Sequence, residues 1–415
     1  MTMSSDTPHA SHGKMNADIL RAIDQTIDDL HDESIRIRRY LHANPEASEH
    51  EFETTKFVAN QLREMTLTPK IYANDLGVTA DIDLGGTSGQ VVALRAELDC
   101  VGVDDEKVVD YRSTNEGLCH ACGHDAHMTI VMTAAKAIQM HASALREHGM
   151  RCNIRPLFQP AEETAKGAES MVEQSAVRDA SAIFAVHVDP FLEVGRLGMR
   201  VGPMTSSSQM FEARIRGRSG HTARPFEAVD PIPAATSLVG LFYQLGPRSK
   251  DPRYPLALTV AAMHAGTAYN AIPDTAIIGG TIRAMRQVDL DRVMERMRSV
   301  ARGVSEATGT RVELDFQRFV PPTMNDGSLV ELMARVGTDL LGPAAVQTID
   351  VASIGAEDFA FFQQVVPGAI IRLGAAMPQP HERRGLHNSH FDIDEKALAI
   401  GAKVMARSAV LAAAQ

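Results

Sequence analysis

Ile154-Arg-Pro-Leu-Phe-Gln-Pro-Ala-Glu-Glu163 joins a short apolar run to two adjacent glutamates. Ile154–Phe158 reads as a buried strand, and Val91–Leu94 and Ile183–Val186 are runs of the same kind. Helical stretches, Met128–Leu145 and Thr164–Gln174, separate the three. This alternation predicts a largely parallel sheet with helices on its faces. In an open parallel sheet the C-terminal strand ends face one crevice, where ligands collect. Glu162 and Glu163 fall just beyond such an end.

Working outward, residues 1–16 read as a loose, disordered tail. From Ala17 to about Met65 the pattern is mostly helical, with Leu20, Ile23, Ile27 and Leu30 spaced by three and four and a break at Pro45. A different texture begins near Ser206. Phe211–Arg216 reads as a strand, followed by a Gly-rich turn and a helix over Asp230–Leu245. The strands Leu256–Met263 and Thr275–Met285 come next, then a helix, Asp289–Ser305, striped by Leu290, Val293, Met297, Val300 and Val304. Arg311–Phe319 closes the series as an alternating strand. The order β-α-β-β-α-β is that of a ferredoxin-like sandwich. After Pro321-Pro322 the α/β texture resumes and ends in a helix over Asp394–Ala413. The expectation is an α/β, mostly parallel-sheet catalytic domain (17–203 and 320–415) with an inserted ferredoxin-like α+β domain (204–319).

Bulk properties agree. A chain of 415 residues exceeds one ordinary domain, and 44% hydrophobic with 22% charged residues is a globular balance. A net charge of −11 without a long basic run argues against nucleic acid or an anionic membrane as partner. Met1–Lys14 offers no apolar signal segment, and no run approaches the ~18–20 apolar residues of a transmembrane helix. Cys100, Cys119, Cys122 and Cys152 are then expected as free thiols or metal ligands in a cytoplasmic protein.

Four clusters carry the chemistry: Cys119-His-Ala-Cys122-Gly-His124-Asp125-Ala-His127, the Glu162-Glu163 pair, His187 after the run Ile183–Val186, and Leu386-His387-Asn-Ser-His390. Thiolate, imidazole and carboxylate together suit zinc, manganese or cobalt, whereas calcium and magnesium prefer oxygen alone. Five such ligands exceed one tetrahedral site, so two metals ~3.5–4 Å apart are expected. Successive side chains of an extended segment point to opposite sides. Glu163 can therefore bind metal while Glu162 faces the water that the metal acidifies, taking its proton and later giving it to the departing nitrogen. Cys119 and Cys122 could alternatively be a redox pair, but that leaves the histidines unexplained. His120, His127 and His390 are expected as structural or supporting groups. In the insert, His221 in a turn, Asn270 before a strand and Arg283 within one would suit a lid that polarises a carbonyl and grips a carboxylate.

These residues resemble a known family. His120-Ala-Cys-Gly-His-Asp125, Gln159-Pro-Ala-Glu-Glu163, Gly220-His221, Asn270-Ala-Ile-Pro273, Gly280-Thr-Ile-Arg283, Gly355-Ala-Glu-Asp-Phe359 and Leu386-His387 are similar to the motifs of the aminoacylase/carboxypeptidase metallopeptidases, in that family's order. The nearest branch is that of hippurate hydrolase and the indole-acetyl-amino acid hydrolases. The resemblance implies a catalytic domain with an inserted lid that mediates dimerisation, giving a homodimer or a dimer of dimers. It implies Cys122, His124, Glu163, His187 and His387 as ligands of two divalent transition metals, manganese or zinc with cobalt or nickel as alternatives, and Cys122 able to bridge them. Glu162 becomes general base and acid, His221 the oxyanion donor, and Asn270 and Arg283 contacts to the substrate's carboxylate. Departures fall in Arg95-Ala-Glu97-Leu-Asp99-Cys100-Val-Gly102, where the family usually reads Arg-Ala-Asp-x-Asp-Ala-Leu-Pro, and at Phe226, where a His is common.

The function so implied is hydrolysis of the amide C–N bond of an N-acyl amino acid or similar small conjugate, aromatic ones included. Two rivals share the sequence: hydrolytic deamination of an aromatic amine at the same centre, and a catalytically silent binding protein. The full ligand set together with Glu162 argues against the second.

Overall fold

The structure is a computed structural model that describes the backbone of residues 9–415 and the side chains from residue 17. The expected tail falls partly on residues 1–8, outside the described residues. The rest lies in the first helix, α1 (His9–Asp29), which α2 (His31–Ala43) and α3 (Phe52–Glu64) follow. The chain divides into two compact units, 1–202 with 325–350 and 361–415, and 203–324 with 351–360. The sequence alone gives 351–360 to the catalytic part, but Ser206 N–H donates to the carbonyls of Ser353 and Gly355 and ties that loop to the insert.

The first unit holds an eight-stranded mixed sheet. Its early strands are β1 (Lys70–Ile71), β2 (Val78–Thr79), β3 (Val91–Glu97), β4 (Asn153–Gln159), β5 (Ala180–Glu193) and β6 (Leu197–Met199). Two more arrive after the insert, Val346–Thr348 and Gly368–Ala376, and the latter lies directly against β5. The core runs β4-β3-β5-(Gly368–Ala376), all parallel. Every residue of β3 is buried, as a central parallel strand covered on both faces must be. Helix α4 (His124–Met140) is buried nearly all round because it lies between the sheet and other helices.

The expected strand end at His187 is corrected. β3 pairs with β5 only as far as Arg95↔Ala185, but β5 continues to Glu193 because Gly368–Ala376 keeps pairing with it, Arg372 opposite His187. His187 thus projects from a continuous strand, just past the point where its pairing with β3 stops.

In the second unit the strands Ser208–Arg216, Leu256–Ala265, Thr275–Ala284 and Arg311–Val320 form an antiparallel sheet. Numbered by sequence, their spatial order is second, third, first, fourth, the ferredoxin-like arrangement. The helices Pro231–Ser249 and Gln287–Thr308 bury Leu238, Phe242, Leu290, Val293 and Met297 in its core. Asp230 caps the first by accepting from the Ile232 amide at 2.9 Å.

Candidate metal centre

Four segments of the first unit converge, β5 with His187 among them. At the start of α4, Gly123 adopts φ 85°, and a Cβ there would stand 2.3 Å from Val188 Cγ2. Only glycine lets the turn between Cys122 and His124 lie against β5. Beyond β4 the chain turns tightly: Ala161 has φ 50°, its carbonyl accepts the amides of Lys166 and Gly167, and a Cβ on Gly167 would sit 1.5 Å from Pro160 O. Glu162 and Glu163 project from this turn. His387, also at positive φ (62°), is anchored by its amide to Ala121 O at 2.8 Å.

The side chains meet as follows. Cys122 Sγ, a His124 ring nitrogen and a Glu163 oxygen lie within 4.8 Å of one another. His124 Nε2 is 3.9 Å from Glu163 Oε1 and 4.0 Å from Glu162 Oε2. His387 Nε2 is 3.3 Å from the same Glu163 oxygen, and His187 Nε2 is 3.6 Å from Cys122 Sγ. All five sequence-derived ligands and Glu162 are therefore brought together.

The donor set fits divalent transition metals. Burial, with the neighbouring glutamates, pushes the Cys122 thiol up. Burial opposes a charge on His124, but Cys122, Glu97 and Asp99 outweigh it and raise that imidazole's pKa far above its ordinary value. Hydrogen bonding to Glu163 raises His387 in the same sense. These are proton affinities that a cation among the same atoms would take over. Burial above all, with Arg372 and His127, keeps His187 neutral. Its Nδ1–H donates to Val188 O at 2.8 Å, which leaves Nε2 as a lone pair toward Cys122.

Supporting groups fix these ligands. Asp99 Oδ2 accepts from the Glu163 amide at 2.9 Å and from Ser48 at 2.7 Å, and Asp99 O accepts from His124 Nδ1 at 2.9 Å. His127 Nδ1 donates to Glu97 Oε2 at 2.8 Å, its Nε2 accepts the Val188 amide at 2.9 Å, and Arg95 grips Glu97 from the other side. Glu97, His124 and His127 also present ligand atoms within 4.8 Å. Both His127 nitrogens are spoken for, so that trio is a brace. A third buried trio, His42, Asp105 and Cys119, has the Lys107 ammonium 2.9 Å from Asp105 and 3.8 Å from Cys119, where a cation would stand.

Among the remaining histidines, His120 is buried with neither ring nitrogen hydrogen-bonded among the described residues, and burial pushes its pKa down to about 3. His390 is half-exposed on the surface, 3.5 Å from Glu106 and 3.1 Å from the Ser389 hydroxyl. His221, Asn270 and Arg283 belong to the second unit. His221 pairs with Ala271 in an exposed two-stranded ribbon, and its Nδ1 accepts the Ala223 amide at 3.0 Å. Thr222 N–H reaches Asn270 O, and Arg283 donates to Ile354 O at 3.0 Å.

A parallel α/β unit with sulfur, imidazole and carboxylate donors at its strand ends, interrupted by a ferredoxin-like insert, defines a class of metallohydrolase. The comparisons make it specific. Residues 93–410 match the profile of peptidase family M20/M25/M40, and the chain belongs to that family. It is 34% identical over 386 residues to the Arabidopsis thaliana IAA-amino acid hydrolase ILR1-like 4, covering 92% of this chain and 86% of that one. It is 32% identical over 387 residues to the Bacillus subtilis N-acetylcysteine deacetylase, covering 92% and 97%. The crystal structure of Bacillus subtilis YXEP protein, a dinuclear metal binding peptidase of the M20 family, superposes with a TM-score of 0.80 at 30% identity, covering 93% of this chain and 99% of that one. This chain is accordingly a metal-dependent hydrolase of amide bonds. Among the described residues no helix is long and apolar enough to cross a membrane.

Proposed function

We propose that the protein hydrolyses the amide bond of an N-acyl amino acid or a similar small conjugate, aromatic acyl groups included. The observation that carries this reading is the pair of adjacent glutamates at the Cys/His cluster, of which Glu163 is also within reach of His387. Glu163 Oε1 lies 3.3 Å from His387 and 3.9 Å from His124, while Glu162 has its Oε2 4.0 Å from that same His124 nitrogen. Cys122, His124, Glu163, His187 and His387 would hold two divalent cations, manganese or zinc, with cobalt or nickel able to substitute. Bound cations lower the pKa of water and polarise a carbonyl. Glu162 takes the proton of the attacking water and returns it to the leaving nitrogen, so one carboxyl serves both steps.

His221 is the oxyanion donor. Because its Nδ1 accepts a backbone amide, its proton sits on Nε2, the outward nitrogen. Asn270 and Arg283 receive the substrate's carboxylate. The protein assembles as a homodimer, or a dimer of such dimers, through the inserted unit. Its strand Leu256–Ala265 is an edge strand with exposed Met263, and the adjoining helix exposes Leu241 and Tyr243.

Glu162→Gln tests the reading. Turnover of N-acetyl amino acids should fall by about 10³-fold or more with fold and metal content retained. Near-normal turnover overturns the base assignment, and ammonia as product would instead assign deamination of an aromatic amine.

A further inference from the structure

Glu51 is a buried carboxyl without an obvious task. It precedes α3, yet it does not cap that helix: the amides of Glu53 and Thr54 are taken by Glu46 at 3.2 and 2.7 Å. The Glu51 side chain turns inward instead. Its Oε1 accepts the Ala161 amide at 2.7 Å, and its Oε2 is buried with no hydrogen-bond partner among the described residues. Burial first, and the nearby Asp99 carboxylate second, push its pKa up to about 7. A buried carboxyl beside another carboxylate is a costly arrangement, so its contact with Ala161 calls for a reason.

The reason lies in the turn. Ala161, held at φ 50°, opens the segment that projects Glu162 and Glu163. Glu51 grips the Ala161 amide and Asp99 grips the Glu163 amide, so the two amides flanking Glu162 are each anchored by a carboxyl from a different part of the chain. We propose that Glu51 is a positioning residue for the catalytic turn, fixing through the Ala161 amide the direction in which Glu162 faces the reacting atoms. This rests on the assignment of Glu162 as base. An orienting group of this kind acts on rate more than on binding, because a displaced base still leaves the substrate's own contacts intact.

The experiment compares Glu51→Gln with Glu51→Met in the metal-loaded full-length protein, with Glu162→Gln alongside. Gln keeps an acceptor for Ala161; Met has similar length and none. kcat and KM are measured on N-acetyl amino acids, and metal per chain by elemental analysis. The expected result is kcat within about threefold of wild type for Gln, and a loss of about ten- to a hundredfold for Met, with KM and metal content little changed. Should Met prevent folding, Glu51→Ser, too short to reach the amide, carries the same comparison. The proposal is overturned if the variant lacking an acceptor keeps wild-type kcat, if Gln fails as badly as Met, or if the loss lies in KM alone. Failure of the parent reading looks different: Glu162→Gln would stay active whatever the Glu51 variants did.

Discussion

His42 offers a test of the buried charge network beneath the candidate metal-binding loop. Its Nδ1 lies 2.7 Å from Asp125 and its Nε2 3.3 Å from Asp105, while Arg38 reaches Asp125 at 2.8 Å and Asp392 at 2.8 Å. Asp125 stands in the first turn of α4, directly after His124. Burial disfavours the imidazolium, as does Arg38, but Asp125 and Asp105 prevail and raise the His42 pKa from 6.5 to about 10. The sign follows. A raised folded-state pKa contributes stability that is complete below 6.5 and is lost as pH climbs through 10. Each pH unit inside that window removes about 1.4 kcal/mol. His42→Gln abolishes the titration while Asp105 and Asp125, both held below the usual carboxylate range, stay ionised throughout. The stability gap between wild type and His42→Gln should therefore shrink by about 3 kcal/mol between pH 7 and pH 9. The chain has no tryptophan, so urea unfolding of chelated protein is best followed by far-UV circular dichroism. A gap that stays constant to within about 1 kcal/mol across those two units would show His42 to be neutral in the folded protein and refute the argument.

Cys122→Ala and His387→Ala should each lower bound metal per chain, read by elemental analysis after dialysis; wild-type stoichiometry in either would remove that residue from the ligand set. Gly123→Ala forces a side chain into φ 85° and into Val188, a combined cost of about 2–4 kcal/mol. A markedly lowered Tm and weakened metal retention are expected, because the shifted turn carries both Cys122 and His124. An unchanged Tm would mean that β5 yields there at no cost.

What could be read in advance divides by the range of the interaction. The five candidate ligands, of three residue types, and Glu162 could be picked out because sulfur, imidazole and acid stood beside strand-like runs, and such ends in a parallel sheet meet in one crevice. The insert was legible because alternation and helical stripe, at Arg311–Val320 and Gln287–Thr308, are local patterns. The strand Gly368–Ala376 was not, for its strongly apolar core is only Ile370-Ile371 and its burial comes from pairing with β5, almost two hundred residues away in sequence. Arg38 shows the same limit more sharply. Within Arg36-Ile-Arg-Arg-Tyr it looks like any cation on a solvated helix, yet it is fully buried while Arg39 beside it is half-exposed at its side chain. Nothing local distinguishes the two arginines; Asp125 and Asp392, 87 and 354 residues away, do. Glu51 belongs to the same class, since the amide it holds is 110 residues downstream. The candidates for chemistry announce themselves by type. The groups that hold the surrounding backbone and side chains are ordinary charged residues made specific only by partners that folding delivers, so they had to be found in the structure.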